Sequence, residues 1–405
     1  MPHPILKKAQ QLSTELTAIR RHLHQNPELS FQEINTTSTI VQHLQTHSNL
    51  TVHYGKDHTG LDTGVIATLN SGKRPVIAIR ADIDALPIQE LNDTSYKSQN
   101  DGVMHACGHD AHTAIGIGAA KILAEIFEEE TIDASVKFIF QPAEEDTDEH
   151  GSTGSPYLIK AGVLDDVDAV LALHMNPEQR VGEVLLNEGN SMAAIDTFDA
   201  VLKGSGGHAA YPQLGTDPVY MLSFVLQAIQ GIIARRTSPL EPAVISVTHV
   251  ETSPSYNVIP SEVHIRGTIR SYNEDVRREL EEELHQALKI THTFKGDYEL
   301  TVRNGEPALK NHPVVISWLA QTVKDLLPDF HIHKGPYGMG GEDFAYMTQK
   351  RPGAMFFIGA GLDEGDEQGL HMPRFDIDES VLVYGAAILA ETALRYVKNE
   401  YTLPT

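Results

Sequence analysis

The segment Asp101-Gly-Val-Met-His105-Ala-Cys107-Gly-His109-Asp110-Ala-His112-Thr113 holds the densest set of metal-binding side chains in the chain. A thiolate and an imidazole two residues apart, with glycine between them, can turn toward one point in a loop. Such a pair suits zinc, cobalt, nickel or manganese. Cys107 is the single cysteine, so it cannot form an intramolecular disulfide and is too few for a structural zinc finger. Taken alone it would be a small buried hydrophobe; its histidine neighbours turn the reading toward a metal.

A second carrier of chemistry is Phe138-Ile-Phe-Gln141-Pro142-Ala-Glu144-Glu145, two carboxylates directly after a strand that proline terminates. Adjacent side chains there point different ways. One glutamate can ligate a metal while the other takes a proton from water, as hydrolysis requires. Without the cysteine cluster, an ordinary acidic loop running on to Asp146, Asp148 and Glu149 would explain the pair. His174 closes an apolar strand, at the kind of strand end where α/β sheets gather functional groups, and His371 lies in a later loop. Asp82, at another strand end, could orient a ligating imidazole. His208 sits on a Gly-rich loop free to approach a site, and Asn257 and Arg270 flank a hairpin. The loop Gly338-Met-Gly-Gly-Glu342 lacks the strand and spacing of a dinucleotide fingerprint and reads as a turn facing substrate.

The elements that must position these residues read as α/β. Apolar residues at helical spacing over 5–24 end at Asn26-Pro27, and β-rich runs at 64–69, 75–80, 135–140 and 168–174 are separated by helical patterns such as 112–128. The alternation predicts a central, mostly parallel sheet flanked by helices. From about Ser191 the order becomes strand (195–203), helix (217–235), strand (243–251), strand (262–270), helix (273–289), strand (298–302). This is the β-α-β-β-α-β, ferredoxin-like unit. Ser271-Tyr-Asn-Glu274 reads as a capping box and Gly267 as a bulge or close approach. Helical periodicity then returns at 313–327, followed by a strand at 354–359 and a last helix at 379–400. The expected division is 1–188 and 304–405 for a catalytic domain, interrupted by 189–303.

The chain has 405 residues, 41% of them hydrophobic, and a formal charge of −24. That acidity argues against nucleic acid and anionic membrane surfaces, which need clustered Lys and Arg. No uninterrupted apolar run approaches the roughly 20 residues of a membrane span. The N-terminus shows no apolar signal core, so the expectation is a cytoplasmic protein acting on a small molecule.

In order along nearly the whole chain, Arg80-Ala-Asp82-Ile-Asp84-Ala-Leu-Pro, Met104-His-Ala-Cys107-Gly-His109-Asp-Ala-His112-Thr, Phe140-Gln-Pro-Ala-Glu144-Glu145, Leu173-His174-Met, Gly206-Gly-His208-Ala and Gly340-Gly-Glu-Asp-Phe resemble the hippurate hydrolase, or N-acyl-L-amino acid amidohydrolase, branch of the aminoacylase/carboxypeptidase metallohydrolases. The resemblance implies a catalytic α/β domain interrupted by a ferredoxin-like lid. It implies two divalent metal ions held by Cys107, His109, Glu145, His174 and His371, with Cys107 bridging. Glu144 would be the general base. His208, often supplied by a partner subunit in that family, would stabilise the oxyanion, and Asn257 and Arg270 would hold the substrate carboxylate or close the site. Many relatives outside this branch carry a ligand histidine where this chain has Arg80. The implied activity is hydrolysis of N-acyl-L-amino acids by a homodimer joined through its lid. Deacetylation of N-acetyldiaminopimelate, cleavage of dipeptides or C-terminal residues, and a non-catalytic metal- or ligand-binding role are the competing readings.

Overall fold

The computed structural model describes residues 3–253, 255–362 and 368–404. The chain folds into two compact units, one made of Met1–Gly189, Lys310–Tyr337 and Tyr346–Thr405, the other of Asn190–Leu309 and Gly338–Ala345.

The first unit is built on an eight-stranded sheet in the order Leu50–Tyr54, Val65–Leu69, Ser135–Gln141, Val76–Asp82, Ala169–Arg180, Gly353–Gly361, Glu183–Leu185, His331–His333. Its four central strands, from Ser135–Gln141 to Gly353–Gly361, run parallel. Every residue of Val76–Asp82 and Ser135–Gln141 is buried, as expected of parallel strands covered on both faces. That burial explains why they read as β-rich, mostly apolar runs. The three strands not anticipated from sequence are three to five residues long and lie in the outer parts of the sheet. Segments that short carry too little periodicity to stand out.

Helices His109–Glu129 and Val381–Val397 pack on each other and on the sheet, their Ala- and Gly-rich sequences permitting close approach. The first of these begins three residues before the periodicity does. Gly108, with φ +92°, precedes it, and its carbonyl accepts the amides of Ala111 and His112. The continuous helix expected at 5–24 is instead two, Pro4–Gln11 and Ser13–Gln25. They break where the Leu12 amide bonds Ala9 in a tighter turn.

The second unit is a four-stranded antiparallel sheet ordered Ala243–Glu251, Glu262–Ser271, Ala194–Lys203, Asp297–Asn304. With helices Pro218–Arg235 and Glu274–Leu288 it has the expected β-α-β-β-α-β order. Inward residues Phe198, Ala200, Leu202, Val263, Ile265 and Ile269 meet Val225, Ile229, Leu280 and Leu284 in one apolar core. Gly267 lies opposite an irregularity at Val247/His249, and a side chain there would meet the Ser246 carbonyl at 2.0 Å. The capping expectation fails in detail: Asn273, not Ser271, is the N-cap, accepting the Asp275 amide at 2.9 Å. Helix Pro218–Arg235 has the length and apolarity of a membrane span, with 18 residues and a mean hydropathy of 1.2. Its Met221, Val225, Ile229 and Ile232 are nevertheless buried, the last three in the core of this unit.

Candidate metal centre

The candidate ligands of the first unit stand at the carboxyl ends of its parallel strands, where α/β folds place their sites. Asp82 and Gln141 close neighbouring strands in register, and Pro142 turns the chain so that Glu144 and Glu145 follow. His174 lies on the next strand. Gly108 lets the Cys107 loop turn into the helix at His109, and an added Cβ at Gly108 would press on Met175 at 2.8 Å. His371 sits at φ +60°, its amide donating to Ala106 at 2.8 Å. A non-glycine residue in that region stores strain of order 1–3 kcal/mol, which tends to concentrate at functional sites.

Five donors converge in a chain of close contacts. Cys107 Sγ lies 3.5 Å from His174 Nε2 and 3.3 Å from His371 Nε2. Glu145 Oε1 lies 3.4 Å from His371 Nε2 and 3.6 Å from His109 Nε2. Ligands on a tetrahedral zinc-like ion at roughly 2.0–2.3 Å are separated by about 3.3–3.8 Å, the spacing seen here. The atoms fall into two groups of convergent donors, Cys107–His109–His174 and Cys107–Glu145–His371, which share the cysteine. His109 Nε2 and Glu145 Oε1 are buried without a hydrogen bond. Such buried orphans are rare unless a partner belongs between them, so these residues fit a pair of cations. Glu144 forms a further convergent group with His109 and Glu145.

The electrostatics agree. Burial would lower the His109 pKa, but the charges of Asp82 and Glu145 and the Asp84 hydrogen bond raise it to about 10. Burial, then the charges of Glu145 and Glu144, push the Cys107 thiol well up. The carboxylates of Asp82, Asp84, Glu144 and Glu145 thus act on these two residues, a setting in which divalent cations would be stabilised.

The groups behind these donors differ from the sequence expectation in one respect. Asp82 Oδ1 bonds His112 Nδ1 at 2.6 Å, while its Oδ2 stays 3.8 Å from His109 Nε2 and accepts from buried Arg80 at 2.6 Å. The residue that orients His109 is Asp84, 3.3 Å from its Nδ1. The Asp82-x-Asp84 alternation at a strand end is the signal that could have found it. Glu33 is a further support without a sequence signal: it accepts the amides of Phe31 and Ala143 at 3.0 and 2.8 Å and so braces the turn before Glu144. Nothing in its local sequence marks it. Tyr337 also escapes sequence reasoning; its ring stacks on Phe357 at 3.9 Å, with its centroid 6.3 Å from that of His174.

His208, Asn257 and Arg270 belong to the second unit. His208 and Asn257 are neighbours, since Val258 pairs with His208 and the Ala209 amide donates to the Asn257 carbonyl at 3.1 Å. Both are exposed. Arg270 lies apart on the strand Glu262–Ser271, its Nε donating to Thr268 Oγ1 at 3.0 Å.

Comparison with known proteins places this arrangement. The N-acetylcysteine deacetylase of Bacillus subtilis (strain 168) is 37% identical over 384 residues, 94% of this chain and 96% of that protein. An IAA-amino acid hydrolase of Arabidopsis thaliana is 35% identical over 407 residues, 98% of this chain and 90% of that protein. A Bacillus subtilis crystal structure described as a dinuclear metal binding peptidase from the M20 family superposes with a TM-score of 0.82 at 33% identity, covering 96% of this chain and 99% of that one. The model of peptidase family M20/M25/M40 matches residues 78–395. The chain therefore belongs to peptidase family M20/M25/M40 and is a hydrolase of its peptidase and amidohydrolase kind.

Proposed function

We infer that the chain is a dinuclear metal-dependent amidohydrolase that cleaves N-acyl-L-amino acids to a carboxylate and a free amino acid. The observation that carries this reading is the pair of donor groups sharing Cys107, with Glu144 beside them. The relatives support the substrate class, since one is named for removing an acetyl group from N-acetylcysteine and another for hydrolysing an IAA-amino acid.

The proposed ligands are Cys107, His109, Glu145, His174 and His371, with Cys107 common to both ions. The mixed thiolate, imidazole and carboxylate set accepts zinc, manganese, cobalt or nickel. Bound there, two divalent ions would supply Lewis acidity, polarising the amide carbonyl and lowering the pKa of water. Glu144 takes the proton from the attacking water as the C–O bond forms, then passes it to nitrogen as the C–N bond breaks, so the amine leaves neutral. His208 donates to the oxygen that gains negative charge, from this chain or from a partner copy. Asn257 and Arg270 receive the substrate carboxylate or close the site.

In this reading 189–303 form a lid inserted between the catalytic segments 1–188 and 304–405. The lid also pairs two copies of the chain; the exposed Val219 and Tyr220 on helix Pro218–Arg235 give such a pairing an apolar face. The test is turnover of N-acetyl and N-benzoyl amino acids, N-acetyldiaminopimelate and dipeptides by protein stripped of metal and then restored. Metal-dependent release of free amino acid from the N-acyl compounds is expected. Cleavage confined to dipeptides would replace the reading with a peptidase, as the name of the solved relative would suggest.

A further inference from the structure

The parallel ladder between Val76–Asp82 and Ala169–Arg180 ends at the pair Arg80 and Ala172. Three residues on, the Met175 amide has run past that neighbouring strand. A buried N–H left unpaired would cost about 1–3 kcal/mol. His112, in the first turn of helix His109–Glu129, takes it: Nε2 lies 2.9 Å from the Met175 nitrogen. A backbone N–H can only donate, so Nε2 is the bare nitrogen. The proton is then on Nδ1, 2.6 Å from Asp82 Oδ1. Asp82 is itself held by Arg80, whose Nη1 donates at 2.6 Å and whose Nε donates to Gln141 at 2.9 Å.

The carbonyl of Met175 is held by a second imidazole. His174 Nδ1 donates to it at 2.8 Å, which leaves His174 Nε2 directed at Cys107 Sγ, 3.5 Å away. Both backbone polar groups of Met175 are thus fixed by histidine rings, and these two rings pack edge to face with centroids 4.7 Å apart.

We propose that His112 is a positioning residue and not a metal ligand: through the Met175 backbone, the buried chain Arg80–Asp82–His112 sets the ring orientation of His174. Although His112 converges with Asp82 and His109 in a possible donor group, both of its nitrogens are committed, and ligation would break one of these bonds. Such outer partners fix the tautomer and direction of a ligating imidazole and typically influence metal affinity by roughly 10–100-fold. The proposal rests on His174 being a ligand.

The test loads the full chain with Co(II) and compares wild type with His112→Phe, His112→Gln and His174→Ala, reading metal-to-protein ratio, affinity by chelator competition and the visible Co(II) spectrum. His112→Phe should bind Co(II) roughly 10–100-fold more weakly with a shifted spectrum. His112→Gln, whose Oε1 can accept the Met175 amide, should recover most of the affinity at an unchanged ratio. A native affinity and spectrum in His112→Phe, or a lost equivalent of metal in His112→Gln, would overturn the proposal. If His112→Phe does not fold, 15N spectra of the metal-free, histidine-labelled wild type decide. Besides the signal of His174, which has the same tautomer, they should show an imidazole with a bare Nε2 and a protonated Nδ1 that disappears in His112→Gln; a protonated Nε2 on the imidazole lost in that variant overturns the assignment. Undiminished binding of two Co(II) by His174→Ala would instead remove the ligand reading of His174, an outcome separate from the His112 tautomer.

Discussion

The carboxylate of Asp84 joins two of the five proposed ligands: one oxygen lies 3.3 Å from His109 Nδ1, and the other accepts the Glu145 amide at 2.9 Å. Ser30 fixes that second oxygen with a 2.7 Å hydrogen bond. A single side chain therefore sets both the direction of an imidazole and the path of the loop that carries a carboxylate ligand.

Asp84→Asn keeps the shape of this link and removes its charge. Metal affinity should fall by roughly 10–100-fold, the usual range for a lost outer partner. Competition with a chelator of known affinity measures it, and an affinity within twofold of wild type would assign the orientation of His109 to something else.

Cys107 belongs to both donor groups, whereas His174 and His371 each belong to one. Cys107→Ala should accordingly reduce bound metal toward zero, while His174→Ala and His371→Ala should each retain about one equivalent. Elemental analysis after dialysis gives the ratios. Three equal losses would contradict a shared cysteine.

The contrast between Cys107 and Asp84 shows what the sequence could convey. The parallel core, the ferredoxin-like order and the clustering around Cys107 are written in local patterns: buried, mostly apolar strands, alternation in Ala194–Lys203 and Glu262–Ser271, and dense His and Glu at strand ends. The supports are not local. Glu33 bonds Ala143, 110 positions away, and His112 bonds the Met175 amide, 63 positions away. Both are hydrogen bonds that periodicity cannot register, because they join segments far apart in sequence. The position of Asp82 at a strand end suggests that it orients a ligand directly. It contacts His112 instead, since Arg80 claims its other oxygen and His109 turns Nδ1 to Asp84.

Glu144 stands in a convergent group with His109 and Glu145 but outside both groups that contain Cys107. Glu144→Gln should therefore keep two metals and lose turnover by roughly 10²–10⁴-fold, the contribution expected of a general base. Steady-state hydrolysis of an N-acyl amino acid, with metal content measured on the same sample, checks both halves. Near-normal turnover would place proton transfer on another group.

Glu33 gives a pH-dependent prediction. Burial, followed by the nearby Asp84 charge, raises its pKa from the ordinary 4.5 to about 8, despite hydrogen bonds that favour the ionised form. Between pH 4.5 and 8 the unfolded chain has released this proton while the folded protein keeps it, so folding stability declines as pH rises through that window. A tenfold difference in proton affinity between the two states corresponds to about 1.4 kcal/mol. Glu33→Gln can still accept the Phe31 and Ala143 amides through Oε1 while removing the titration; Thr63 Oγ1, which donates to Glu33 Oε2, would turn to accept from the new amide. In the metal-free protein His109, with its own raised pKa, contributes a decline in the same direction above pH 6.5, and the variant leaves that part in place. Urea unfolding of the metal-free proteins at pH 5 and pH 8.5 should consequently show wild type losing more stability between the two than Glu33→Gln, by on the order of 1 kcal/mol or more. Equal losses in the two proteins would mean that Glu33 is already ionised at pH 5 in the folded state.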